Sequence, residues 1–353
     1  MKIAVYAIAL NEILHAERWA EATKDADYRI VADTGSTDGT QDALRQAGVI
    51  VHNIHIRPWR FDMARNASLA LVPEDADLCL FLDLDEVPEP KFFEKVRKQW
   101  TEGSDHGWIN FDTGSIWQKD KLHTRSGWHW KYACHEVAVF YGGEVAKHCI
   151  IDALITHKPD ETKSRGQYIP LLELSVKEHP TDPRMWTYMA REYYFHQRWK
   201  DVLIAGQKML DCPTGWDVEQ AAVCKWLGEA AHNLGQAEEA TKWFNKGAEI
   251  LPQQGEPWYG VAIDAYRRRD WTICLSAAIN AFECTPSNHY CYEAAIWDWK
   301  AYDLAGVSAY NLGLFKESEL FTKQALQGVP NGPEKERIKR NLEFTKDVLK
   351  RKQ

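Results

Sequence analysis

One template, written four times, constrains this chain more than any other feature. Its first-helix core reads Trp186-x-x-Met189-Ala190-x-x-Tyr193, then Cys224-x-x-Leu227-Gly228-x-x-Ala231. It returns as Trp258-x-x-Val261-Ala262-x-x-Ala265 and as Tyr302-x-x-Ala305-Gly306-x-x-Ala309. Steps of three and four residues put these side chains on one helical face. Six residues after each last position come Trp199, Ala237, Trp271 and Phe315. The small positions lie 38, 34 and 44 residues apart, and three units carry a proline 24 residues beyond them: Pro252, Pro286 and Pro330. A helix pair of this kind cannot bury its apolar face alone, so neighbouring pairs must stack. Two domains are expected, residues 1–162 and 163–353, with strands confined to the first.

The register resembles that of tetratricopeptide repeats: a large residue, a small one where two helices touch, an aromatic near the turn and a terminating proline. The longer spacings predict insertions around Cys212–Val218 and Asn288–Trp297. Glu334–Lys350 is expected to be an amphipathic capping helix, with Lys335, Arg337, Lys339 and Arg340 on a solvated face. The concave surface of such a stack commonly holds an extended peptide or joins two copies of a chain.

Before the repeats, short apolar runs alternate with helical patterns. Strands are expected at 3–10, 28–32, 49–54 and 78–82, with helices at 13–23, 40–47 and 61–71 between them. This alternation predicts an α/β domain with a parallel, doubly wound sheet. The fourth strand runs straight into Asp83-Leu84-Asp85-Glu86. In open α/β sheets, ligands bind outside the carboxyl ends of strands. Carboxylates clustered there suit a hard divalent cation such as Mn²⁺ or Mg²⁺. Asp33 ends the second strand at the same sheet edge, where a carboxylate suits a ribose hydroxyl or a base N–H. A Rossmann dinucleotide site is disfavoured, because the first strand-to-helix turn reads Ala9-Leu10-Asn11-Glu12 and lacks glycines.

Four motifs in order resemble the family 2 glycosyltransferases with the GT-A fold. They are Asn11-Glu12, the loop Asp33-x-Gly-Ser36-x-Asp38-Gly-Thr, Arg65-Asn66, and Asp83-Leu84-Asp85-Glu86. The resemblance covers about residues 1–160 and implies inverting transfer from a nucleotide-sugar, usually a UDP-sugar, with a divalent metal. It implies donor contacts from Asn11, Glu12, Asp33, Ser36, Asp38, Arg65, Asp83 and Leu84, with Asp85 at the metal and diphosphate. His135-Glu136 and Ile155-Thr156-His157 resemble later motifs of repeat-bearing members. They suggest His157 as a second metal ligand and Glu136 as the base that takes the acceptor's proton, with Asp112 as the alternative base. The aromatic stretch Trp128-His129-Trp130, with His135, is expected on the acceptor side. A GT-A domain followed by such repeats is similar to peptide glycosyltransferases of the sublancin type.

Composition narrows the partners. A net charge of −8 disfavours a surface that grips nucleic-acid phosphates, although a modified base in DNA stays an alternative acceptor to a peptide, protein or glycan. A repeat scaffold that binds nucleotide-sugar without turnover is the non-enzymatic alternative. No run of 18 apolar residues is present, so no membrane span is expected. Eight cysteines without a Cys-x-x-Cys pair fit reduced thiols in a cytoplasmic protein.

Overall fold

A computed structural model describes residues 1–114, 116–143, 146–160, 168–286, 289, 291 and 293–351. The chain divides into two compact units, Met1–Ser175 and Val176–Gln353; the boundary expected at 162/163 lies outside the described residues.

The first unit begins with β1 (Ile3–Ala9), α1 (Ile13–Ala22), β2 (Tyr28–Asp33), α2 (Thr40–Gln46), β3 (Ile50–Asn53), α3 (Phe61–Ala70) and β4 (Leu78–Phe81). It continues with β5 (Glu86–Pro88), α4 (Phe92–Gln99), β6 (His106–Asp112), β7 (Ile116–Thr124), β8 (Trp128–Lys131), β9 (Val137–Phe140) and β10 (His148–His157). Eight strands form one sheet in the order β3-β2-β1-β4-β7-β6-β10-β5, and β8 pairs with β9. The central strands are buried on both faces, as continuous apolar runs require. Ile3, Val5, Ala7, Leu78 and Leu80 belong to one core, and Ala4, Tyr6, Ile30 and Cys79 to the other.

The expected all-parallel sheet is corrected. β3, β2, β1 and β4 run parallel, but β7 enters antiparallel between β4 and β6, and β5 lies antiparallel on β10. The reason is local. β6 and β7 form a hairpin through Gly114, whose φ of +99° suits glycine, and a hairpin can only deliver an antiparallel neighbour. Glu86, the last carboxylate of the cluster at the end of β4, starts β5.

α5 (Tyr168–Glu178) leads into the second unit. There α6 (Pro183–Phe195), α7 (Trp199–Leu210), α8 (Asp217–Asn233), α9 (Ala237–Ile250), α10 (Gly255–Arg267), α11 (Trp271–Glu283), α12 (Ala301–Asn311) and α13 (Phe315–Gly328) follow the four-fold template pair by pair. α14 (Pro333–Arg351) closes the array. The small positions are where helices touch. A Cβ on Gly228 would stand 2.8 Å from the Phe244 ring, and one on Gly306 would stand 2.6 Å from Thr322 Oγ1. At three turns the aromatic of the second helix meets a tyrosine of the first edge-on: Tyr194–Trp199, Tyr266–Trp271 and Tyr310–Phe315. Trp186 and Trp258 each donate an indole N–H to the carbonyl of the proline six residues earlier.

The capping helix differs from expectation at one residue. Arg337 is not merely solvated; it makes a bidentate pair, down to 2.6 Å, with the buried Asp303 of α12. No helix among the described residues is long and apolar enough to cross a membrane.

Candidate active site

The register Ala9↔Asp33↔Asn53 lines up the carboxyl ends of β1, β2 and β3. Asp33 is fully buried there. Its Oδ1 accepts from Gly35 N (2.9 Å), Ser36 N (2.8 Å) and Gln41 Nε2 (2.7 Å). Its Oδ2 is buried without a hydrogen-bond partner. A buried acceptor left unmade is costly, so it marks a place for a donor group.

Asn11, Ser36 and Asp38 sew the first two strand-end loops together. Ser36 Oγ accepts from Asn11 N, Asn11 Oδ1 accepts from Thr37 N, and Asp38 Oδ2 accepts from Ile13 N. Asn11 adopts φ +55°, which asparagine tolerates better than most residues. Glu12 N donates to Thr40 Oγ1. These four shape the rim around Asp33.

β4 ends beside β1, and Asp83 follows in the loop. Arg65, buried on α3, holds it. Nη1 lies 2.6 Å from Asp83 Oδ1, and Nη2 donates to Oδ2 at 3.0 Å. Arg65 Nε donates to Glu136 Oε1 at 3.0 Å. One guanidinium thus joins two sequence-distant carboxylates. Burial alone would raise Asp83; the Arg65 charge outweighs it and holds the carboxyl well below the usual range. Glu136 Oε2 takes no hydrogen bond among the described residues.

Asp85 lies beyond Leu84, whose side chain is buried in the core and so cannot face a donor. Asp85 Oδ2 stands 3.1 Å from His157 Nε2, and Asp85 O accepts from Lys158 N. β10 delivers His157 opposite Glu86 in the β5 register. The Asp85 hydrogen bond holds the His157 imidazole above its ordinary range. Among the described residues, no three His, Cys, Asp or Glu side chains converge as a metal cage.

Glu86 serves the loop rather than a ligand. It accepts from Asp83 N, and both its oxygens pair with Lys121 Nζ at 2.6 and 2.7 Å. Lys121 is 1% exposed. The sequence pattern singles out neither Lys121 nor Lys119 nor Gln41. Two lysines at alternate positions beside Trp117 were the only signal available.

Three expectations change. Asp112 follows Phe111 on β6, so strand alternation sends it to the opposite face from Phe111, which stacks on His157. Asp112 is occupied instead in a turn, accepting from Gly114 N. Trp128 and Trp130 are 7% and 4% exposed, so they are packing residues and not acceptor platforms. Trp130 lies under Arg65 (5.4 Å), meets Phe81 edge-on (4.7 Å) and donates to Tyr6 Oη. Asn66 pins its backbone at both N and O. His135, at φ +53°, packs beside Tyr168.

With that geometry in place, residues 9–139 match the family model described as Glycosyl transferase family 2. The matched segment is similar to that family, and it contains Asp33, Arg65, Asp83 and Glu136. No curated protein sequence matches the chain. Solved structures similar to it include YrrB, titled a TPR protein with an unusual peptide-binding site (13% identity, 47% of this chain and 78% of that one, TM-score 0.36). Another is MamA 41-end from Desulfovibrio magneticus RS-1 (15%, 48% and 85%, TM-score 0.38). A third is glucosyl-3-phosphoglycerate synthase from Mycobacterium tuberculosis, titled as a complex with Mn²⁺, UDP and phosphoglyceric acid. It is 26% identical over 32% of this chain and 44% of that one, at a TM-score of 0.28.

Proposed function

We propose that the chain is an inverting glycosyltransferase. It moves a sugar from a UDP-sugar to a peptide, protein or glycan acceptor that the helical repeats recruit. The observation that carries this reading is the unpartnered Asp33 Oδ2 at the same sheet edge as the Asp83–Arg65–Glu136 chain. β2 and β4 both flank β1, so the two strands run about 10 Å apart. A nucleoside diphosphate can bridge that distance, with a base N–H on Asp33, the ribose near Asp83 and the diphosphate near Asp85.

Asp85 and His157 supply one hard oxygen and one imidazole nitrogen, a donor set that suits Mn²⁺ or Mg²⁺. They would hold the cation from one side and leave the remaining positions to phosphate oxygens and water. Such a cation supplies Lewis-acid stabilisation of the leaving diphosphate. Arg65 keeps Asp83 ionised and oriented. Glu136 keeps Oε2 uncommitted to receive the acceptor's proton as the acceptor attacks the anomeric carbon.

Release of UDP from UDP-glucose, UDP-galactose, UDP-N-acetylglucosamine and UDP-arabinose tests this reading. Turnover of one of them should require Mn²⁺ or Mg²⁺ and fail in Asp85→Ala. Glu136→Gln should bind UDP normally and lose transfer. Turnover without divalent metal would sink the metal assignment.

A further inference from the structure

Four carboxylates and three cations crowd the β4 loop. Arg65 engages Asp83 and Glu136, and Lys121 takes both oxygens of Glu86. Lys119 is left over. Its Nζ lies 3.7 Å from Glu86 Oε1, too long for a hydrogen bond, and it makes none among the described residues. The ammonium instead sits over the Phe111 ring at 4.1 Å. That ring stacks on His157, with centroids 6.1 Å apart and planes 28° apart. Lys119, Phe111 and His157 therefore form a row that ends at Asp85. The Lys119 side chain is 34% exposed, and its charge acts against protonation of the His157 imidazole. Burial and the Lys121 charge push its ammonium down to about 8, against the opposing pull of Glu86 and Asp83.

We infer that Lys119 is a binding residue for the donor's diphosphate, its ammonium donating to a non-bridging phosphate oxygen beside the Asp85–His157 pair. This rests on the UDP-sugar reading above. Lys121 shows why Lys119 has that freedom: it takes both oxygens of Glu86 in hydrogen bonds and leaves Lys119 only the longer 3.7 Å ion pair. A lysine suits this duty, being a compact charge on a flexible stem.

The test is calorimetric titration of UDP and of uridine, in Mn²⁺, into full-length wild type, Lys119→Met and Lys119→Arg. Lys119→Met should weaken UDP about tenfold and leave uridine unchanged, and Lys119→Arg should recover most of the loss. Equal UDP affinity in wild type and Lys119→Met overturns the inference. So does an equal loss of UDP and uridine, which a merely structural lysine would give. Wild type that binds uridine and UDP equally also overturns it. Wild type that binds neither overturns the donor reading itself. A measurement on unmutated protein guards against a variant that fails to fold. UDP should protect Lys119 from acetylation by acetic anhydride, read by mass spectrometry, and uridine should not. Equal labelling with and without UDP contradicts the assignment.

Discussion

Single residues set the electrostatics of the first unit. Arg65 can hold Asp83 and Glu136 together because it is buried against Trp130, and Trp130 is fixed in turn by Asn66 and by Tyr6. Tyr6 belongs to a second buried line. Trp130 Nε1 donates to Tyr6 Oη, Tyr6 Oη donates to His123 Nε2 at 2.8 Å, and His123 Nδ1 donates to the Thr124 carbonyl. This arrangement needs a neutral imidazole, and burial pushes His123 down to about 4. The unfolded chain protonates it near pH 6.5. A group lowered on folding gives its full contribution above the unfolded value and loses it as pH falls through the folded one. Stability should therefore fall by about 3 kcal/mol between pH 6.5 and 4 on account of His123 alone. Urea midpoints across that range should show a slope that flattens in His123→Gln. An unchanged slope would show that His123 is not buried neutral.

At the scale of elements, packing decides more than propensity. Gly228 sits inside α8, where glycine is a poor helix former, yet a Cβ there would meet three atoms of the Phe244 ring within 2.9 Å. Replacing it by valine recovers less than about 1 kcal/mol of propensity. Overpacking costs about 1–3 kcal/mol. Gly228→Val should therefore lower the denaturant midpoint; a stabilised variant would contradict the close approach of α8 and α9. The same logic explains what was legible in the sequence. The template positions announced every helix pair, because a glycine or alanine between large residues has one use there. Leu78 to Leu82 announced a buried strand and the carboxylates at its end. β7 stayed hidden because Lys119 and Lys121 occupy positions where the strand pattern expects apolar residues. The β8 tryptophans were misplaced for a related reason: alternation shows that two faces exist but not which one is buried. The pairing of Glu136 with Arg65 was equally unreadable, since 71 residues separate them and only the fold brings them together.

At the scale of the molecule, each unit carries its own hydrophobic cores. Tyr6, Leu80, Ile109 and Ile155 are buried in the first, and Leu227, Phe244, Ala262 and Ala305 in the second. A chain that stops after α5, at residue 178, should accordingly fold and keep its UDP affinity while transfer to the acceptor fails. Retained transfer would place acceptor recognition in the first unit. Both outcomes presuppose the nucleotide site, and Asp33 tests that most directly. Asp33→Asn keeps the Oδ1 acceptor for Gly35, Ser36 and Gln41 but turns the unpartnered oxygen into an N–H donor. Calorimetric titration of UDP in Mn²⁺ should show binding to wild type and a loss of about tenfold or more in Asp33→Asn, with the melting temperature preserved. Equal UDP affinity in the two proteins, or no UDP binding to wild type, would contradict the assignment of this sheet edge as a uridine-diphosphate site.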